Sequence, residues 1–242
     1  MPQQDQTNWF HSLTHEHRFA LLFFSLILFF LGSPLIRTLA GDTNTLLSDI
    51  IIAALYMVFM LTAIFTVSKS GTSKIIGVAF AIPVAILSVG QIVTETSMTD
   101  IMFQVLAICY LCYAIVLIIK YIFDQQIVNA NKIFAALCVY LLISLVWALL
   151  YSMIEVIQPG SFIYVLAEEQ SPLKLKFGYG DTASSLYYSL VTMTTLGYGD
   201  IAPANEVARM FASTQAVIGQ LYIAVLIARL VGLHASQKTH HS

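Results

Sequence analysis

Residues 182–200 read TASSLYYSLVTMTTLGYGD, and the fold turns on this stretch. It holds no charge before Asp200, and at 18 residues it is nearly long enough to cross a bilayer core of roughly 30 Å as a helix. Its chemistry argues against a simple crossing. Seven of the 18 residues are Ser or Thr, three are Tyr, and the glycine-rich end cannot continue a helix. The pattern predicts a short helix that enters the membrane and returns as extended chain. Non-helical backbone at membrane depth is tolerated only where protein surrounds it or where it lines a watery path. A pore loop meets both conditions.

Working outward, six further charge-free stretches occupy 19–36, 50–68, 75–94, 101–119, 133–154 and 210–228. The 242-residue chain is 58% apolar and 10% charged, so these stretches leave no room for a separate soluble catalytic domain. They predict six membrane helices at 19–36, 46–67, 75–93, 101–123, 133–154 and 206–233. The fold class expected is all-α. A polar segment, 1–18, precedes a four-helix bundle over 19–123. A pore domain then covers 133–233, with pore helix and filter at 181–200 and an inner helix at 206–233, followed by a tail at 234–242. Thr38-Leu39-Ala40 mimics a signal-peptide cleavage site, but the apolar run before it is longer than such peptides usually carry, so the span is read as retained. Pro83 is expected to kink the third helix.

Six crossings put both termini on one side. With cytosolic termini, Arg18, Lys69, Lys74, Lys120, Lys132, Arg229 and Lys238 face inward, and Arg37, Lys174, Lys176 and Arg209 face outward. Ten of the 13 acidic residues then lie outside, giving an outer surface that concentrates cations. The expected location is the plasma membrane, the inner membrane of a bacterium. A net charge of −2 argues against a nucleic-acid partner, and the cysteines (109, 112, 138) show no disulfide framework. The membrane stretches hold no histidine and no acidic pair, so an enzyme is not expected.

Thr194-Thr195-Leu196-Gly197-Tyr198-Gly199-Asp200 resembles the selectivity filter of the tetrameric potassium channels of bacterial type, with six spans and one pore loop per chain. In that family backbone carbonyls replace the water shell of a dehydrating potassium ion. The resemblance implies potassium bound at Thr195, Leu196, Gly197 and Tyr198, with Gly199 completing the filter. Gly197 and Gly199 can adopt φ > 0 and keep successive carbonyls pointing one way, while Leu196 and Tyr198 turn outward into packing. Asp200, Tyr187, Tyr188, Thr194 and Val191 are the expected filter support. The resemblance covers about 133–233 and implies passive conduction by a homotetramer within the lipid bilayer, with no cofactor beyond potassium itself.

Further residues follow from the same alignment. Gly219, 20 residues past Gly199, matches an inner-helix hinge, or else a small residue used for close packing. Gln220 and Ile223 would line the cavity below the filter, though Gln220 equally suits an interhelical hydrogen bond. The helix would converge on an inner gate near Ile227 and Val231. Two departures stand out. Tyr187-Tyr188 replace the paired tryptophans common in the family, and Val191 stands where some members hold a carboxylate. A non-selective cation channel and a pore-loop potassium transporter subunit are the rival readings.

Other features carry less. Phe177-Gly178-Tyr179-Gly180-Asp181 repeats GYGD without an apolar helix before it and reads as an exposed turn, with Asp181 capping the pore helix. Cys109 and Cys112 read as packing residues, and Trp9 and Trp147 as interfacial or packing residues. His11, His15, His17, His234, His240 and His241 read as tail residues rather than a metal or pH sensor. The gating stimulus and any regulatory partner are not legible.

Overall fold

The computed structural model describes residues 18–40, 45–67, 71–94, 97–124, 129–164 and 182–239. The elements run α1 (Arg18–Ala40), α2 (Thr45–Val67), α3 (Gly71–Thr94), α4 (Ser97–Asp124), α5 (Ala130–Ile157), β1 (Phe162–Tyr164), α6 (Thr182–Met193), β2 (Ile201–Pro203) and α7 (Glu206–Thr239). Among the described residues, five helices are long and apolar enough to cross a membrane: Arg18–Ala40, Leu47–Thr66, Ser97–Phe123, Ala130–Ile157 and Glu206–Arg229. In α3 the apolar run is shorter, Ile75–Ser88. Pro34 and Pro83 lie inside α1 and α3 without ending either helix. The second GYGD with Asp181, Trp9, five of the histidines and the side chain of His234 lie outside the described residues.

One addition corrects a purely α-helical reading. β1 and β2 pair antiparallel, with Phe162 opposite Pro203, Ile163 opposite Ala202 and Tyr164 opposite Ile201. Three-residue strands leave no alternation long enough to read from sequence. Helix ends also run past the charge-free stretches, because caps rather than charges set them. The Asn129 side chain accepts from the Lys132 amide at 3.0 Å to open α5, and the helix continues through Glu155 before Pro159-Gly160.

The chain divides into two compact units. The first comprises Met1–Ala81, Ala114–Val139 and Gly232–Ser242. Here α1 buries Phe19, Leu22, Leu26, Phe29, Phe30 and Ser33, a stripe spaced by threes and fours. Leu21, Phe24, Leu28, Leu31 and Leu35 on other faces are exposed, and a helix apolar on all sides suits lipid. Phe29 meets Tyr56 and Phe59 of α2 at 5.7 and 6.2 Å, and Ser25 shares a 2.9 Å hydrogen bond with Thr62. Gly32 lies so near α2 that a Cβ there would stand 3.0 Å from Leu55 Cδ1. With no water to expel, close approach and interhelical hydrogen bonds of about 0.6 kcal/mol each hold membrane helices together.

The second unit comprises Ile82–Tyr113 and Tyr140–Val231. Tyr151 of α5 centres its core, edge-on to Phe162 of β1 at 5.3 Å and to Tyr188 of α6 at 5.0 Å, with Ile201 and Ala208 in the same cluster. Near the end of α5, the two Glu155 carboxylate oxygens accept from the Gly160 and Phe162 amides at 2.7 and 3.1 Å. Asn205 donates to the Ser161 hydroxyl at 2.6 Å and caps α7 by accepting from the Ala208 amide at 2.8 Å. These bonds stitch the chain after α5 to the chain before α7, and so fix the segment that follows Asp200. Cys109 and Cys112 correct the packing expectation: they share an exposed face of α4, three residues apart, while Cys138 is buried.

Candidate functional site

The site is built on α6. Its 12 residues put Tyr188, Ser185 and Ser189 inside and leave Tyr187 on the exposed side. The helix ends in a recognisable way. The Thr195 amide donates to Thr192 O at 3.1 Å and the Leu196 amide to Val191 O at 3.0 Å. That pair of bonds is a Schellman motif, which requires its first residue beyond the helix cap to be left-handed. The residue there is Thr195, with φ 58°, and it is the one non-glycine at positive φ among the described residues. Glycine usually fills this position, because a Cβ costs about 1–2 kcal/mol in the left-handed region. Val191 thus supports the chain through its carbonyl, a role its apolar side chain does not announce. The Thr194 hydroxyl bonds back to Leu190 O at 2.8 Å.

Beyond the cap, positive φ recurs at every second residue: Thr195 at 58°, Gly197 at 58° and Gly199 at 78°. Alternating hand along a chain turns successive peptide groups the same way and brings their carbonyls to one side. Among the described residues, and apart from each glycine's chain neighbours, no atom lies within 4 Å of where a Cβ on Gly197 or Gly199 would stand, so both glycines are required by conformation rather than by crowding. Leu196 and Tyr198 do not pack within their own chain, being 55% and 66% exposed. The Tyr187 hydroxyl donates to Asp200 Oδ2 at 2.7 Å, tying the far end of the loop to α6. The neighbouring Tyr188 is fully engaged in the aromatic cluster.

On α7, Gly219 is buried, and a Cβ there would lie 2.6 Å from Met193 O. The glycine is therefore required for close approach to the last turn of α6, which favours the packing alternative over a free hinge. Gln220 Nε2 reaches the Thr195 hydroxyl at 3.4 Å and is itself exposed in the single chain. Ile223 is half-buried, Ile227 is exposed, and the side chain of Val231 lies outside the described residues. The sequence reading passed over Gln215. It is completely buried, accepts from the Tyr151 hydroxyl at 2.5 Å, and donates to Ser189 O at 3.0 Å and Ser189 Oγ at 2.7 Å. A lone amide in an apolar run was the available signal, since a polar group at membrane depth is costly unless used.

Three comparisons bear on this arrangement. Residues 133–234 match a family model described as ion channel. The voltage-gated potassium channel Kch of Escherichia coli K12 is 25% identical over 244 residues, covering 95% of this chain and 52% of that protein. The two pore potassium channel c of Oryza sativa subsp. japonica is 34% identical over 58 residues, 24% of this chain and 13% of the relative. The human voltage-gated delayed rectifier potassium channel KCNH5 is 36% identical over 47 residues, 19% of this chain and 5% of the relative. This chain thus spans about half the length of the Escherichia coli relative and less of the other two. No solved structure matches it.

Proposed function

We propose that this chain is one subunit of a potassium-selective channel, a reading supported by the match of residues 133–234 to the ion-channel family model, a family of non-enzymes. The observation that carries the reading is the alternation of positive φ at Thr195, Gly197 and Gly199, in the register that a carbonyl-lined filter needs. Potassium is the cargo, held by the backbone oxygens of Thr195, Leu196, Gly197 and Tyr198 with Gly199 completing the strand. Tyr187, Tyr188, Val191, Thr194 and Asp200 support it. One strand cannot surround an ion, so four copies assemble about the axis. The exposed apolar residues of α7, among them Met210, Val217, Leu221 and Val225, suit such an assembly.

In this reading α1–α5 and α7 cross the membrane, α6 re-enters from outside, both termini are cytosolic and the setting is the plasma membrane. Gln220 and Ile223 line the cavity beneath the filter, and α7 narrows toward Ile227 and Val231. Conduction is passive. The relatives named as potassium channels favour the same ion. A non-selective cation channel is disfavoured by Tyr198, which keeps the GYG filter signature intact. The test is flux in liposomes holding the purified chain. Potassium should be favoured over sodium by more than about tenfold under biionic conditions, the behaviour of carbonyl-lined filters. Equal permeability would sink the proposal.

A further inference from the structure

The buried amide of Gln215 sits where the inner helix meets the pore helix, and its bonding can be accounted for completely. The Ser189 hydroxyl has one proton, which goes to Ser144 O at 2.6 Å. It must then accept from both the Ser144 hydroxyl at 3.1 Å and Gln215 Nε2 at 2.7 Å. The second Gln215 N–H goes to Ser189 O at 3.0 Å, with Met193 Sδ a further, longer acceptor at 3.9 Å, and Gln215 Oε1 receives the Tyr151 hydroxyl at 2.5 Å. Turning the amide over would set its oxygen against the Ser189 carbonyl, so the network has one orientation. Three elements, α5, α6 and α7, are joined through one side chain.

The contacts form a series. Gln215 and Gly219 are four apart on one face of α7, and the residues they meet, Ser189 and Met193, are four apart on one face of α6. The next residue, Gln220, reaches Thr195 in the Schellman cap. Tyr140 of α5 also donates to Met193 O, at 3.1 Å, on the carbonyl against which Gly219 packs. Both residues that α7 grips lie within two turns of the filter.

We propose that Gln215 is a positioning residue that locks α7 to the last turns of α6, so that the filter base follows the inner helix as one body and stays conductive only while this lock holds. The inference rests on the channel reading above. Gly219 is the seat of the lock and not a free hinge. Ions in the filter bind the conductive form and stabilise it by mass action, so loosening the lock makes conduction depend more steeply on potassium concentration.

Single-channel recording of the full chain in planar bilayers tests this. Gln215→Leu keeps the volume and removes every bond; open bursts should shorten at least threefold at low potassium and recover toward wild type at high potassium. Ser189→Ala should shorten them similarly, and the double variant should be no worse than Gln215→Leu alone, because both remove one network. Wild-type burst length in Gln215→Leu overturns the proposal, as do short bursts that ignore potassium or fully additive effects. Should Gln215→Leu fail to assemble, Ser189→Ala makes the same measurement with one hydroxyl removed, and unchanged bursts there overturn the proposal equally. Wild-type protein that passes no potassium selectively overturns the channel reading itself, which separates the two failures.

Discussion

The two helices that flank the proposed filter differ in how much of themselves their own chain covers. In the most apolar 18 residues of α5, 56% are buried; in those of α7, 11% are. α5 is also the more apolar of the two, but polarity alone does not account for the exposure, since α7 leaves the apolar Met210, Val217, Leu221 and Val225 uncovered. α5 is finished within the chain, where Leu142, Leu145 and Tyr151 are sealed. α7 is not, and nor is the filter strand before it, where Leu196 and Tyr198 stand open. Lipid can cover apolar side chains but not extended backbone, which at membrane depth must be buried in protein or line a watery path. In the channel reading, the uncovered surface of α7 lies beside the strand that needs three more copies to act.

The sharpest way to break this comparison is at the uncovered strand. Gly197→Ala places a Cβ at φ 58°, a strain of about 1–2 kcal/mol in every chain, and turns a carbonyl away at four places in one ring. Potassium current should vanish while the protein still assembles. Gly178→Ala, in the second GYGD, should leave current intact. Current surviving Gly197→Ala would mean that the strand is not the conduction path.

A second test addresses what covers α7. Val217→Asp with Leu221→Asp puts two carboxylates four residues apart on its exposed surface. Were that surface turned to lipid or to a watery cavity, the change would leave the assembled mass as it is. Covered by neighbouring chains, it buries charge at a cost of several kcal/mol per site, and the mass in detergent should fall from four 26.8 kDa chains to one. On α5 the informative change is different: Leu142→Ala should cost about 2–5 kcal/mol of stability within the chain itself.

Gly219→Ala is expected to have an intermediate effect, and it divides two explanations of one residue. A hinge glycine lost to alanine lowers open probability and spares selectivity. A close-approach glycine does more, because the new Cβ would stand 2.6 Å from Met193 O, and backbone must move. The pore helix then shifts at its last turn, so the permeability ratio of potassium to sodium should fall together with thermal stability. An unchanged ratio would restore the hinge.

How much of this was legible depended on the signal. Charge-free stretches found the long helices, because crossing lipid forbids charges over about 20 residues. Glycine spacing found the positive φ at Gly197 and Gly199, because few other residues adopt it. Thr195 was hidden for the opposite reason: nothing in a β-branched residue announces a left-handed cap, and only the paired bonds to Thr192 and Val191 hold it there. The strand pairing of Phe162–Tyr164 with Ile201–Pro203 joins residues nearly forty apart and has no periodicity of its own. Tyr187-Tyr188 is a mixed case. The departure from tryptophan was visible, but which tyrosine would reach Asp200 and which would enter the core needed coordinates.

The smallest effect is expected from voltage, and it tests the remaining helices against the pore. Two of the relatives are named voltage-gated, which describes those proteins. In this chain α4 carries only Asp100, Lys120 and Asp124 as charges, with no basic residue recurring at every third position. A sensor that moves three to four charges in each of four subunits gains tens of kcal/mol, at ~2.3 kcal/mol per charge per 100 mV. Lys120 alone supplies at most about 9 kcal/mol from four copies, and only if each crosses the whole field. It stands close to the end of α4 with an exposed side chain, so its ammonium reaches the interface by extending along its stem and crosses almost none of that field. Steady-state open probability should therefore change little over 100 mV, and selectivity not at all. A steep activation curve with an effective valence above about four charges exceeds what Lys120 can carry, and would place the moving charge somewhere other than α4.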